Sequence, residues 1–179
     1  GGGRWACRRL YPQRSDRAVS SGAEATEMFV LKSMAFQDGG LIPRPHTCDG
    51  KDISPALSWT GGSEKAVSFA LVMDDPDAPG KTWVHWVLFD LPAGTSYLPE
   101  AVPVRATLDG GGTHGINDFG NLGYGGPCPP SGTHNYVFTL YALDGKLGLK
   151  PRATREQVLA AMQGHVLSQA RLVGRYNRR

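Results

Sequence analysis

From Met28 onward the chain alternates between short apolar runs and polar turns, which is the pattern of a mostly β fold. The runs are rich in β-branched and aromatic residues, and turn sequences such as DGG, DPDAPG, LPAG and LDG separate them. The pattern predicts strands over residues 29–36, 56–60, 66–75, 82–92 and 135–143.

The third run, AVSFALVMDD, has apolar residues on both of its faces. Side chains alternate across a strand, so Phe69, Leu71 and Met73 face one way, whereas Ala70 and Val72 face the other. A strand with two apolar faces is buried between two layers. We therefore expect this run to form a central strand of a sandwich or two-layer sheet.

The fourth run, TWVHWVLFDLP, carries a histidine among apolar neighbours. Strict alternation places on one face Trp83, His85, Val87 and Phe89. It places on the other face Val84, Trp86 and Leu88. A single histidine on an apolar strand face is more often a core residue with satisfied hydrogen bonds than a functional one. Trp83 on the same face is nevertheless suited to the wall of a pocket.

One helix is predicted, near the C-terminus. Thr154 followed three residues later by Gln157 is a capping box. Apolar residues then recur at spacings of three and four, at Leu159, Met162, Val166, Ala170 and Val173. This pattern predicts a helix over residues 154–173 whose apolar stripe lies on the sheet. Cations stabilise the end of such a helix, and its C-terminal end is crowded by Arg171, Arg175, Arg178 and Arg179.

Two segments lack strand or helix periodicity. Residues 1–27 are rich in Arg, Ser and Gly, so we expect a disordered extension and a single folded domain over residues 28–179. A functional tail or a transit peptide is the alternative for the extension. Residues 93–134 hold nine glycines before Pro127, so we expect a long loop. Loops of this length in compact domains are usually functional or disordered.

Composition narrows the class of protein. The chain has 179 residues, which suits one domain, and its net charge of +3 comes from basic ends around a mildly acidic middle. No stripe of Lys and Arg interleaved with aromatic residues is present, which argues against nucleic-acid binding. No apolar run reaches the roughly 18 residues of a membrane span. Three cysteines are too few for a disulfide scaffold, so we expect a cytoplasmic protein, although one pair could still close.

Two polar clusters adjoin the predicted strands. DDPDAPG follows the third run, and its Asp75 and Asp77 either cap a turn or hold a carboxylate at a pocket mouth. GYGGPCPPSGTHNY leads into the fifth run, and its glycines and prolines form a stiff loop whose free amides suit an anion. His85, His134 and Tyr136 add imidazole and hydroxyl donors. These residues predict a site for a phosphate-like anion.

Other chemistry has less support. The sequence contains no G-x-S-x-G, G-x-x-x-x-G-K-[ST], G-x-G-x-x-G between strand and helix, or H-E-x-x-H motif. A zinc site built from His46, Cys48, Cys128 and His134 is one alternative, although no C-x-x-C spacing supports it. A hydrolase of phosphoryl or acyl substrates is the other, with His85 or His134 as the general acid or base.

The clusters and their surroundings resemble the phosphatidylethanolamine-binding protein family, also called the Raf kinase inhibitor-like family, in its bacterial and archaeal branch. The signature stretches are DPDAP with its following W-x-H, and GPCPPSGTH. The resemblance implies a mostly β fold, a β-sandwich with a large central sheet and peripheral helices, one of them near the C-terminus. It also implies a pocket for phosphate or a phosphorylated headgroup, with no metal or organic cofactor. The ligand-binding residues that it implies are Asp75, Trp83, His85, Gly126, Cys128, Pro129, Pro130, His134 and Tyr136.

The leading hypothesis is a non-enzymatic function, because the group of Asp, His and Tyr residues contains no recognisable pair of nucleophile and base. The chain would bind a phosphate-containing small molecule or a phospholipid headgroup, and it would modulate a partner, such as a kinase or a serine protease, as an inhibitor does. Family members also suggest a homodimer. No catalytic residue is implied.

Two details within the motifs carry expectations of their own. The family motif usually reads G-x-H-R, whereas here Asn135 follows His134, so we expect an altered set of contacts around the pocket and not a lost pocket. Cys48 and Cys128 both lie in family motifs and flank the presumed pocket, so we expect them to lie near one another.

Overall fold

The computed structural model describes residues 28–178, so the extension predicted over residues 1–27 lies outside the described residues. Most of the regular structure is β. The strands are β1 (Val30–Lys32), β2 (Leu57–Thr60), β3 (Ser68–Asp75), β4 (Trp83–Pro92), β5 (Tyr97–Leu98), β6 (Thr113–His114), β7 (Thr133–Leu143) and β8 (Val166–Asn177). The helical segments are a 3₁₀ turn (Arg44–His46) and the helix α1 (Arg155–Met162).

Two antiparallel sheets form the domain. The smaller sheet has the order β1-β2-β5, and the larger has the order β6-β4-β3-β7-β8. In the larger sheet β3 lies in the middle and pairs with β4 on one side and β7 on the other. The central strand predicted from its two apolar faces is therefore confirmed.

The core has two parts, one on each face of the larger sheet. Phe69, Leu71 and Met73 of β3 pack in one cluster with residues of the smaller sheet such as Leu57 and Trp59. This cluster fills the space between the two sheets, as in a β-sandwich.

The second part of the core lies on the opposite face. Ala70 of β3 and Phe89 of β4 pack there against Val158 and Met162 of α1. The larger sheet is thus covered by the smaller sheet on one side and by the helix on the other. A mostly β sandwich with a helix near the C-terminus is the architecture that the sequence predicts.

The prediction of a helix over residues 154–173 is wrong beyond Met162. The capping box is confirmed, because the Thr154 hydroxyl accepts from the Gln157 amide at 3.1 Å and the Gln157 side chain accepts from the Thr154 amide at 3.0 Å. The chain then turns at Gly164, where φ is +78°, and continues as the twelve-residue edge strand β8.

A two-residue alternation explains the change from helix to strand. In β8 the buried Ala170 and Leu172 alternate with the exposed Arg171 and Arg175 and the half-buried Val173. Spacings of three and four between apolar residues also fit this stretch, so periodicity alone does not separate the two structures. Arg171 and Arg175 accordingly lie on the edge strand β8 and do not stabilise a helix end.

The glycine-rich segment after β4 is ordered by short pairings. It contains β5 and β6, and the buried Asn117 side chain holds a turn by accepting from the amides of Phe119 and Asn121 at 3.0 and 3.1 Å. None of the helices in the described part of the chain has the length and apolar character that crossing a membrane requires.

Candidate functional site

A cavity of about 260 Å³ opens at one end of the larger sheet. Antiparallel pairing brings the end of β3 beside the start of β4, and the start of β7 lies along the other side of β3. The cavity is lined by Asp75, Ala78, Pro79, Trp83, His85, Phe119, Cys128, Pro130, His134 and Tyr136. Seven of the nine residues predicted to bind ligand line it, and their binding role stays a prediction.

The cavity wall contains a buried hydrogen bond between two predicted residues. His134 Nδ1 lies 2.6 Å from Asp75 Oδ2, and both side chains are almost completely buried. The other Asp75 oxygen accepts from the Asp77 amide at 2.8 Å, which is the turn-capping role that the sequence allowed. Asp75 therefore caps the turn and orients His134 at the same time, and the Nδ1 bond leaves Nε2 as the second polar atom of the ring.

The His85 side chain reaches the cavity because the pairing of β3 with β4 is irregular at this position. Met73 pairs with Trp86, but the next residue, Asp74, pairs with Val84, so His85 is left without a partner on β3. This is a β-bulge, which re-aims side chains near the extra residue.

The bulge corrects the strict alternation predicted for β4. His85 packs on Tyr136, in the cluster between the sheets, whereas Val84, Val87 and Phe89 pack together on the opposite face. The prediction that His85 shares a face with Val87 and Phe89 is therefore wrong.

The hydrogen bond made by His85 determines which ring nitrogen remains available. Nδ1 donates to the Gly125 carbonyl at 2.6 Å, and the Gly125 amide donates back to the His85 carbonyl at 2.9 Å. Burial lowers the pKa of His85, although the Gly125 carbonyl and the Asp75 carboxylate favour its charged form. The neutral ring with its proton on Nδ1 therefore predominates at neutral pH.

Tyr136 contributes a buried hydroxyl that lacks a partner. Its ring packs edge-on against His85, with centroids 5.2 Å apart, and is stacked on His134 at 6.4 Å. Among residues 28–178 its hydroxyl has no hydrogen bond of good geometry, although the Cys128 backbone amide lies close enough to lower the pKa of the phenol. Burial, followed by the nearby carboxylates of Asp75 and Asp77, raises that pKa well above its ordinary value. The group is a hydrogen-bond donor at neutral pH.

The mouth of the cavity is aromatic. Phe119 packs edge-on against both Trp83 and His85, with centroid distances of 5.6 and 5.3 Å. Lys81 lies over the Trp83 ring at 5.6 Å and forms a salt bridge with Asp118 at 3.2 Å. The exposed ammonium thus lies beside the mouth.

Three of the lining residues are not predicted by the sequence. Ala78 and Pro79 lie within the DPDAPG turn, which the sequence does single out, but Phe119 lies in the segment interpreted as loop. The only signal for Phe119 is an aromatic residue in a glycine-rich, polar stretch, NDFGN.

Two of the nine residues predicted to bind ligand, Gly126 and Pro129, do not line the cavity. Gly126 donates its amide to Asp52 at 2.7 Å, and a Cβ atom there would collide with the backbone of His46 and Thr47. Pro129 is buried and does not line the cavity. Gly126 therefore allows two loops to pack closely.

Cys128 lines the cavity and forms a disulfide with Cys48, with a Cα–Cα distance of 5.4 Å. The expectation that the two cysteines lie near one another is confirmed. A disulfide removes the two thiolates that the zinc alternative requires, and the described residues contain no cluster of three or more His, Cys, Asp or Glu positioned for a metal.

Asn135 occupies the position at which the family motif usually has Arg. Its amide and its side chain both donate to Asp77 Oδ2, at 2.7 and 2.9 Å. The neutral side chain thus still ties the start of β7 to the turn that carries Asp75.

Comparisons with known proteins agree with this architecture. A family model described as phosphatidylethanolamine-binding protein matches residues 32–177. A UPF0098 protein of Methanothermobacter thermautotrophicus is 55% identical over 148 residues, which are 83% of this chain and 98% of the relative. A UPF0098 protein of Aquifex aeolicus is 47% identical and covers 90% of this chain and 94% of its own length.

Two solved structures have a similar fold. A putative phosphatidylethanolamine-binding protein homologue from Chlamydia trachomatis is 36% identical with a TM-score of 0.78, and the match covers 84% of this chain and 98% of that one. Escherichia coli YbcL, described as a new member of the mammalian PEBP family, is 32% identical with a TM-score of 0.76 over 84% of this chain and 99% of that one.

Proposed function

Because this chain belongs to the phosphatidylethanolamine-binding protein family, we propose that it is a non-enzymatic binding and regulatory protein. Its cavity takes a phosphate group, either free or as part of a phosphorylated headgroup. Occupancy of the cavity then modulates a protein partner such as a kinase or a serine protease. The homodimer and the cytoplasmic location stay predictions.

The buried Tyr136 hydroxyl is the observation that carries this proposal. A buried hydroxyl without a hydrogen-bond partner costs free energy, and this one lies in the wall of a cavity that also contains His85 and His134. An anion's oxygen atoms are acceptors that would satisfy the hydroxyl. A phosphate group presents several such acceptors at once, which suits the Tyr136 hydroxyl at neutral pH and, once its ring is charged, His85 as a second donor.

The charges in the cavity are compatible with an anion. Asp75 would repel one, but its carboxylate already accepts from His134 and from the Asp77 amide. A ligand oxygen therefore meets the Tyr136 phenol donor and not an unpaired carboxylate. The aromatic mouth adds apolar surface around the opening, and the Lys81 ammonium beside it is paired with Asp118.

The rim of the cavity supports the regulatory half of the proposal. Pro79, Phe119 and Pro130 are exposed at the mouth. A partner that packs on this rim would also cover the cavity, so ligand and partner contact the same surface. The test is to measure inhibition of a serine protease and of a protein kinase with and without saturating phosphate. Inhibition that is the same at every phosphate concentration would contradict this half.

Calorimetry tests the binding half. Phosphate, phosphoserine and glycerophosphoethanolamine are titrated into the full chain and into its His134→Ala variant. We expect the variant to bind at least tenfold more weakly, because a hydrogen bond to a charged group contributes about 1.5–3 kcal/mol. No binding of any of the three compounds would overturn the proposal.

A matched control exists at the opposite end of β7. His165 Nδ1 contacts Asp144 Oδ1 at 2.8 Å, which reproduces the His134–Asp75 pair on the surface. The His165→Ala variant should bind phosphate as the unmodified chain does. An equal loss in both variants would show that the measured heat does not come from the cavity.

Binding should strengthen as the pH falls from 8 to 5. Burial lowers the pKa of His85, so its charged form, which donates from both ring nitrogens, is gained only at acidic pH. Phosphate itself titrates in this range, so sulfate, whose charge stays constant, is titrated in parallel. Sulfate affinity that is constant or falls towards pH 5 would contradict a role for the charged ring.

The hydrolase alternative has one observation in its favour. The Asp75–His134 pair has the geometry of a carboxylate that orients a general base. Against it, the raised pKa of Tyr136 leaves that hydroxyl a poor nucleophile. Release of phosphate from p-nitrophenyl phosphate that disappears in the His134→Ala variant would establish the hydrolase instead.

A further inference from the structure

A disulfide forms part of the cavity wall. Cys128 lines the cavity, and its partner Cys48 lies in the loop that follows the 3₁₀ turn, 80 residues earlier in the sequence. Both cysteines are partly exposed, so the bond lies within reach of solvent. The covalent link therefore connects the ligand cavity to a distant segment of the chain.

Hydrogen bonds hold the first part of the wall. The Tyr124 hydroxyl donates to the His46 carbonyl at 2.6 Å, and the Gly126 amide donates to Asp52 at 2.7 Å. The Cys48 amide donates to the Pro127 carbonyl at 3.1 Å. These bonds, none of which involves a sulfur atom, fix residues 124–127 against the loop that contains Cys48.

The disulfide holds the second part of the wall. Pro129 and Pro130 have no amide proton to donate. No hydrogen bond of good geometry joins residues 128–132 to another segment within the part of the chain that the structure describes. Between Pro127 and the start of β7 at Thr133, the disulfide to Cys48 is thus the link that holds the wall against another segment.

Breaking the bond must move Cys48, Cys128 or both. A covalent S–S bond is about 2.05 Å long, whereas non-bonded heavy atoms stay about 3.5–4.0 Å apart. Reduction therefore separates the two sulfur atoms by more than about 1 Å. Cys128 lies in the part of the wall that lacks other bonds, and its backbone amide lies beside the Tyr136 hydroxyl, so a displacement of Cys128 would change the position of groups that would face the ligand.

We propose that the Cys48–Cys128 disulfide is a redox site that controls the affinity of the cavity for phosphate. The oxidised form holds the wall and binds tightly, and the reduced form releases the wall and binds more weakly. This inference rests on the proposed function, because it assigns a regulator to the same anion cavity.

The redox step is a thiol–disulfide exchange. A dithiol supplies two electrons and two protons: one of its thiolates attacks a sulfur of the disulfide, and its second thiol resolves the mixed disulfide. The products are two free thiols, on Cys48 and Cys128, and the oxidised, cyclic form of the dithiol. Dithiothreitol performs this reaction in the test, and dithiol proteins are the corresponding cellular class.

Calorimetry with inorganic phosphate on the oxidised and the reduced full chain measures the effect. We expect phosphate to bind about tenfold more weakly after reduction, which is within the usual range for coupled sites. The Cys48→Ser/Cys128→Ser double variant should match the reduced chain and should not respond to dithiothreitol. The Cys7→Ser variant keeps the pair and should respond as the unmodified chain does.

A reciprocal measurement does not depend on any cysteine variant. If phosphate prefers the oxidised form tenfold, saturating phosphate must make the midpoint potential of the disulfide about 30 mV more negative, because tenfold corresponds to about 29.6 mV for a two-electron couple. The His134→Ala variant should lose this shift. A potential that does not respond to phosphate in the unmodified chain overturns the inference.

The remaining outcomes separate the two proposals. Equal phosphate affinity in the oxidised and reduced chain overturns the redox inference and leaves the proposed function intact. Absence of phosphate binding in both forms overturns the proposed function, and the redox inference with it. Loss of the folded far-ultraviolet circular dichroism spectrum on reduction also overturns the inference, because the bond would then hold the fold and not the cavity.

Discussion

Three buried histidines show how contacts separate a structural residue from a candidate functional one. Both ring nitrogens of His114 have partners, because Nδ1 donates to the Arg105 carbonyl at 2.7 Å and Nε2 accepts from Trp86 Nε1 at 3.0 Å. His85 and His134 each bond through Nδ1 and line the cavity. His114 is thus the satisfied core histidine, and the other two have a nitrogen left for a ligand.

Gly126 shows a second effect at the residue scale, because the space around it excludes a side chain. We expect Gly126→Ala to lower the free energy of unfolding by about 2 kcal/mol, since the new Cβ would press on the backbone of His46 and Thr47. Urea denaturation measures this change. Phosphate affinity should fall in the same variant, because the loop that carries Cys128 is displaced.

Gly94→Ala is the matched control for this substitution. A Cβ atom added at Gly94 would meet no other atom within 4 Å, and the backbone there is not left-handed. Its replacement should leave stability unchanged or slightly higher, because alanine restricts the unfolded chain. Equal stability of the Gly126→Ala and Gly94→Ala variants would show that the two loops are not packed as described.

At the scale of elements, α1 is short, and its position depends on both of its ends. The capping box at Thr154 begins it, and a left-handed Gly164 follows its end and directs the chain into β8. Helices of this length are marginal on their own, so packing of Val158 and Met162 on the sheet supplies much of its stability. The cap adds to this by satisfying amides at the first turn.

We expect Thr154→Ala to lower the free energy of unfolding by about 1 kcal/mol, the usual cost of losing an N-cap. Urea denaturation gives the value. Thr154→Ser retains the hydroxyl that accepts from the Gln157 amide, so it should restore most of the loss. A serine variant as unstable as the alanine variant would mean that the threonine methyl group, and not the cap, is responsible.

At the scale of the whole molecule, the disulfide joins segments that the sequence separates by 80 residues. Closing a loop of that length restricts the unfolded chain, and the chain-entropy model assigns such a link about 4 kcal/mol. The bond thus affects stability as well as the cavity wall.

We therefore expect dithiothreitol to lower the free energy of unfolding by about 4 kcal/mol. Urea denaturation of the oxidised and reduced chain measures the difference. The Cys7→Ser variant should show the same difference, because it retains the pair. A difference below about 1 kcal/mol would mean that the unfolded chain is compact enough to gain little from reduction.

The sequence by itself determined the features that depend on neighbouring residues. The alternation in β3 predicted a central strand, and the capping box predicted the start of α1. The DPDAPG sequence predicted that the Asp75 carboxylate accepts a hydrogen bond from an amide of its own turn. These are local patterns of burial, backbone preference and side-chain-to-amide bonding, and they act over only a few residues.

Only the tertiary structure decided the features that depend on distant partners. The bulge that turns His85 towards Tyr136 exists only in the register between β3 and β4. Residues 166–177 form the strand β8 because they pair with β7 along its whole length. Phe119 lies at the mouth because the Asn117 turn brings it there from a segment without periodicity. Register, edge pairing and loop placement follow from contacts across many residues, and local periodicity carries no information about them.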